Sequence, residues 1–137
     1  MESTDTMERL NHIRKEYAEQ ALTEDMMDQD PMQQFSKWLD EAIAQKLIEP
    51  NAMCVATVGD DMKPSNRFVL LKNFDKRGFV FYTNKESRKS IQLKQNQYAA
   101  ATFWWGPLER SVRIEGQVEE CSKEEDDIYF NSRCKGA

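Results

Sequence analysis

The chain has 137 residues, 39% of them hydrophobic and 31% charged, with 19 basic and 24 acidic side chains and a formal charge of −5. This is the length of one domain and the mix of a globular chain rather than a disordered tail. No apolar run approaches the roughly 20 residues needed to span a bilayer, and the acidic balance argues against a general nucleic-acid binder.

The start, Met1-Glu2-Ser3-Thr4-Asp5, lacks a basic segment followed by an apolar one, so no signal peptide is expected. Cys54, Cys121 and Cys134 form no C-x-x-C pair. An odd number of cysteines without a secretion signal points to reduced thiols and a cytoplasmic location. With His12 the only histidine, no metal site is expected.

In chain order, residues 8–20 carry helix formers and predict a polar N-terminal helix. Residues 31–47 predict a stronger one. Asp30 is placed to cap it, Pro31 suits the first turn, and Gln33 stands where a capping-box partner belongs. Met32, Phe35, Trp38, Leu39, Ala42, Ile43 and Leu47 recur at helical spacing, and Phe35 and Trp38 read as part of a core-facing stripe. Strands are expected over 53–58, 66–73 and 79–83. The first ends at a Gly59-Asp60-Asp61 turn, and Asp75-Lys76-Arg77-Gly78 makes a hairpin between the other two. Ser87 caps a short helix to about Asn96, and another strand covers 98–105. Over 110–119, Val112, Ile114, Gly116 and Val118 share one face, with Ser111, Arg113, Glu115 and Gln117 on the other. Ser122 and Glu125 form a second capping box opening a helix over 122–132. Short hairpin-linked strands with helices at the edges predict an α+β fold, mainly antiparallel β, of barrel type. No G-x-G-x-x-G or P-loop is present.

Three groups of residues carry potential chemistry. Arg88 and Lys89 follow the cap Ser87, where a helix presents free N–H groups and its positive end. Cations there oppose the usual preference for acids, which a bound phosphate resolves. Two solvated charges are the competing reading. Arg67 and Lys72 bracket Phe68-Val69-Leu70-Leu71 and, five apart on a strand, face opposite sides. They serve two sites, or one of them is a rim residue. Tyr129 and Arg133 are four apart on the last predicted helix, where a phenol and a guanidinium side by side suit a phosphate.

Arg14-Lys15-Glu16-Tyr17, Asp30-Pro31, Asn51-Ala52-Met53, Arg67 through Lys72, Phe81-Tyr82-Thr83-Asn84, Ser87-Arg88-Lys89, Leu108-Glu109-Arg110 and Tyr129 through Arg133 occur in this order. In that order and spacing the chain resembles the pyridoxine/pyridoxamine 5′-phosphate oxidases over nearly its whole length. The resemblance implies an FMN-binding split β-barrel with flanking helices. It implies one domain over 1–137, with 1–29 as a helical or lid segment and 30–137 as barrel and helices. It implies a homodimer with flavin at the subunit interface, and FMN as the cofactor. Arg67, Phe68, Val69, Leu70, Leu71, Lys72, Tyr82, Thr83, Arg88, Lys89 and Ser111 are then the cofactor-binding residues, with Arg67, Arg88 and Lys89 on the flavin phosphate. Lys72, Tyr129 and Arg133 would hold the phosphate of a vitamin B6 substrate, with Arg14 and Tyr17 folding over the site. The implied reaction oxidises pyridoxamine or pyridoxine 5′-phosphate to pyridoxal 5′-phosphate, with hydride passing from C4′ to flavin N5 and oxygen as the final acceptor. No side chain is assigned as a catalyst, because the flavin does the redox work.

The chain departs from that pattern in places. Ser111 stands where the family has a flavin-contacting glutamine, Asn131 where it has histidine, and Ala137 where it has a serine. The family's later Gln-Ser-Ser, tryptophan and Arg-Leu-His segments have no counterpart, which reads as a C-terminally shortened member. The alternative reading is accordingly a catalytically impaired paralogue or fragment that binds FMN or pyridoxal phosphate.

Overall fold

A computed structural model describes residues 2–13, 22–84 and 86–121. Helix α1 covers Glu2–His12, α2 Pro31–Ala44 and α3 Arg88–Gln95. Strands β1 (Ala52–Val58), β2 (Pro64–Asp75), β3 (Gly78–Phe81), β4 (Tyr98–Trp105) and β5 (Arg110–Gln117) form one antiparallel sheet in the order β3-β2-β1-β4-β5. It is the curled half-barrel, with flanking helices, that the sequence predicts. The helix predicted over 122–132 lies outside the described residues.

The N-terminal helix begins earlier than the predicted residue 8. Its acidic start, the Arg9–Asp5 pair one turn apart, and Arg9 and His12 in the last turn all suit the helix dipole. Helix α2 is capped as expected, with the Asp30 carboxylate accepting from Met32 N–H at 2.9 Å. Gln33 is not the capping-box partner, because the Asp30 N–H donates to Asp28 Oδ1 at 2.9 Å. The helix also stops at Ala44 rather than 47. Lys46 turns left-handed (φ 57°), Lys46 N–H bonds to Ile43 O, and Leu47 N–H reaches back to Ala42 O at 3.1 Å. This is a Schellman ending with lysine in the usual glycine place. Leu47 still packs against the core, so its helical spacing reports a hydrophobic contact just beyond the helix.

Strand alternation is clean in β1, where Met53, Val55 and Thr57 are buried and their neighbours are not. The core gathers on that face. Phe35 of α2 sits at its centre, edge-on to Phe74 and Phe79 (both 4.9 Å between centroids) and tilted against Phe103 and Trp105. Trp105, the largest fully buried side chain, donates its indole N–H to Pro50 O at 2.9 Å. The β2–β3 hairpin turns through Lys76-Arg77 and closes on Gly78, whose φ of 148° favours glycine.

The run Phe68-Val69-Leu70-Leu71 is not buried on both sides, as a continuous apolar run suggests. Val69 and Leu71 point to the core, while Phe68 (78% exposed) and Leu70 lie on the outer face. Among the described residues no helix is long and apolar enough to cross a membrane.

Candidate functional site

The inner faces of β1 and β2 bring Val55, Thr57, Ser65 and Arg67 together at the end of the sheet next to α3. The pairing register sets Val55 opposite Arg67 and Thr57 opposite Ser65. The Arg67 guanidinium lies flat in this corner. Its Nη1 donates to Val55 O (3.2 Å) and Thr57 Oγ1 (2.7 Å), and its Nη2 donates to Ser65 Oγ (2.7 Å). Those bonds use three of five N–H groups. Among the described residues the Nε–H and one Nη2–H are left over, two donors that suit an oxyanion.

Helix α3 closes the corner. Ser87 caps it, accepting from Ser90 N–H at 3.2 Å. Thr83 Oγ1 lies 3.3 Å from Ser87 Oγ and 3.1 Å from Ser90 Oγ, and Ser90 Oγ donates to Asn84 O. This hydroxyl cluster fixes the connection from β3 to the helix start, so Arg88 and Lys89 occupy a first turn that itself contains no acid. Lys89 is buried. Its ammonium is held below the ordinary lysine pKa of 10.5, first by desolvation and then by repulsion from Arg67. Arg67 is likewise pulled below its ordinary value by burial and then by Arg88. Three cations thus press on one another, and among the described residues no carboxylate forms an ion pair with any of them. Like charges disfavour one another's protonated forms, and an anion among them opposes that repulsion and favours the charged forms. The residues present therefore fit a phosphate group.

A groove of about 580 Å³ runs beside the cluster, between the Gly59–Asp61 turn and α3, lined by Asp60, Asp61, Glu86, Arg88 and Ile91 among others. Arg67 and Lys89 do not line it. With three acids on its walls it is a poor phosphate seat, and the charge arrangement, not the volume, marks the candidate site.

The other sequence-predicted residues divide between the two faces. Val69 and Leu71 have their side chains in the core, so only their backbone is available to a ligand. Phe68, Leu70 and Lys72 lie on the outer face. Lys72 is the extra residue of a bulge between Leu71 and Asn73, and so lies opposite Arg67 as the five-residue spacing requires. Tyr82 and Thr83 fall just beyond β3, which ends at Phe81 rather than 83. Ser111 is exposed on edge strand β5, opposite Trp104 and three strands from Arg67. Within one chain it does not meet the cation cluster. Arg14, Tyr17, Tyr129 and Arg133 lie outside the described residues. Sequence reasoning missed Thr57, Ser65 and Gln92. A threonine and a serine at inward positions of otherwise apolar strand faces were the available signal.

The sequence profile of the pyridoxamine 5′-phosphate oxidase family matches residues 39–137. The chain is 53% identical over 127 residues to a pyridoxine/pyridoxamine 5′-phosphate oxidase of Albidiferax ferrireducens, covering 93% of this chain and 58% of that protein. It is 55% identical over 124 residues to the enzyme of that name from Actinobacillus pleuropneumoniae, covering 90% and 59%. The chain thus spans about three fifths of the length of these curated relatives. Among solved structures it resembles PhzG from Burkholderia lata in complex with tetrahydrophenazine-1-carboxylic acid, with TM-score 0.76, 26% identity, and 84% and 58% of the two chains covered. It shares its fold with a pyridoxamine 5′-phosphate oxidase-related, FMN-binding protein of Nostoc punctiforme, with TM-score 0.55, 19% identity, and 67% and 52% covered. The profile match over most of the chain and identity above one half to named relatives together establish that the chain belongs to the pyridoxamine 5′-phosphate oxidase family.

Proposed function

We propose that the chain binds FMN, with Arg67, Arg88 and Lys89 holding the phosphate, and takes part in oxidising pyridoxamine or pyridoxine 5′-phosphate. The observation that carries this reading is the trio of mutually repelling cations, one of them a buried lysine, at a helix start that contains no acid. Such a cluster costs stability until an oxyanion joins it. When bound, FMN supplies the two-electron acceptor.

The chain's own contribution is position and electrostatics. Arg67 offers a two-donor fork, and Lys89 and Arg88 supply charge. Tyr82 and Thr83 lie where the chain enters α3, and the β2 backbone with Phe68 and Leu70 forms an apolar outer surface for a flat ring. Lys72, with Tyr129 and Arg133, is assigned to the substrate's phosphate, and Arg14 and Tyr17 to a cover over it. A second copy is assigned to the outer sheet face, completing a dimer that places the ring system at the seam.

A second reading keeps FMN or pyridoxal phosphate binding without efficient turnover. Ser111 favours it, because a serine is too short for the flavin contact that glutamine makes in the family.

The test is direct. The purified chain, reconstituted with FMN, should show flavin absorption bands near about 450 nm. Adding pyridoxine 5′-phosphate in air should then release peroxide. Bands without peroxide select the second reading. A chain that takes up neither FMN nor pyridoxal phosphate overturns both.

A further inference from the structure

We propose that Gln92 is a positioning residue for the phosphate site, acting through Thr57 and Ser65 to fix the Arg67 guanidinium. The inference rests on the FMN-phosphate reading above. Gln92 is buried on α3, one turn after Arg88 and Lys89. Its Oε1 accepts from Thr57 Oγ1 at 2.6 Å and from Ser65 Oγ at 2.8 Å. Those same two hydroxyls accept from Arg67 Nη1 and Nη2, both at 2.7 Å.

The four side chains close a ring in which every hydrogen points away from the guanidinium and toward one amide oxygen. A hydroxyl has a single hydrogen to donate. Arg67 can only donate, so Thr57 and Ser65 turn lone pairs to it, and Gln92 gives both of their hydrogens one fixed acceptor, which locks the two hydroxyls in that orientation. Chains of hydrogen bonds aligned this way reinforce one another in a low-dielectric corner. The ring holds the guanidinium by its two terminal nitrogens, which leaves the Nε–H and one Nη2–H as the donors for a ligand. It also ties α3, which carries Arg88 and Lys89, to β1 and β2, which carry Arg67, so all three cations keep one mutual geometry. Without the amide oxygen the hydroxyls lose their common acceptor, and Arg67 loses two fixed partners. No acid is used. Among the described residues only neutral groups bond the guanidinium, which preserves its charge for a ligand.

The test compares FMN with riboflavin, which lacks the phosphate, by flavin fluorescence on the whole chain. Gln92→Met keeps the length and removes the acceptor. It should weaken FMN binding on the order of tenfold, the scale of a lost charge-assisted hydrogen bond, and leave riboflavin binding within about twofold. In an Arg67→Met background the same substitution should change FMN binding little, because the residue it acts through is gone. Ser65→Ala, which cuts one arm of the ring near the surface, should give a smaller loss of the same phosphate-selective kind and serves if Gln92→Met does not fold. Equal losses for FMN and riboflavin, or an undiminished Gln92→Met effect in the Arg67→Met background, overturn the inference. A wild-type chain that binds FMN no better than riboflavin defeats the phosphate reading itself, and this inference with it. Wild-type preference for FMN that survives Gln92→Met and Ser65→Ala defeats only the inference.

Discussion

Lys89 concentrates the conflict that makes the site. Burial and Arg67 both lower its pKa below 10.5, so the folded chain holds this proton less tightly than the unfolded chain does. The protonated form is therefore a stability cost below the folded pKa. The cost is released as pH rises from that value toward 10.5, and over that alkaline window the Lys89 contribution makes the free protein more stable with rising pH. Lys89→Met should abolish this component, seen as a urea midpoint that rises less steeply with pH over that window than that of wild type. An anion has the opposite effect on the lysine, so at neutral pH saturating FMN should raise the wild-type melting temperature. At about a hundred times Kd the gain is about 2.7 kcal/mol. Lys89→Met should keep only a small part of it in a thermal melt. Two cations following a capping serine made this cluster legible in advance. They did not reveal that Lys89 is buried, since burial depends on where α3 lands against β1 and β2, a contact some 30 residues away along the chain.

At the scale of elements, α2 is the piece that makes the sheet hold a core. Phe35 touches four rings from β2, β3 and β4. Phe35→Ala should cost about 3–5 kcal/mol in a denaturant titration, whereas truncating Ile43, which is exposed on the same helix, should cost little. The far end of the helix is joined to β5. Arg110 pairs with Glu41, and its guanidinium stacks 4.6 Å over the Trp38 ring. The helical spacing of Phe35, Trp38 and Ala42 made this face legible in advance, because an amphipathic helix writes its contacts into its period. The strand boundaries were legible to within two residues for the same reason. What sequence did not separate was the two sides of β2. Apolar residues fill both faces from Phe68 to Leu71, so alternation carries no signal there. The bulge at Lys72 is likewise invisible without its partner strand.

For the whole molecule, the unread side of β2 is the informative one. Cross-strand register sets Phe68 beside Cys54, Cys54 beside Thr102, and Thr102 beside Arg113, with Leu70 and Trp104 flanking this row on the same outer face. Phe68 is 78% and Trp104 69% exposed. Single exposed apolar residues need no explanation, but Phe68 and Leu70 on β2, Cys54 on β1 and Trp104 on β4 put apolar surface on three neighbouring strands of one face, which gains by being covered. A second copy is the occupant that the family resemblance implies. Phe68→Glu places a charge at the centre of that face without touching the core or the cations. Its melting temperature should stay within a few degrees of wild type. In sedimentation at micromolar concentration it should run as a monomer where wild type runs as a dimer, and its FMN binding should weaken because the seam that shelters the ring is lost. A wild-type chain that sediments as a monomer while binding FMN tightly would place the whole ring site within one chain, leaving Phe68 and Trp104 without the role argued for them.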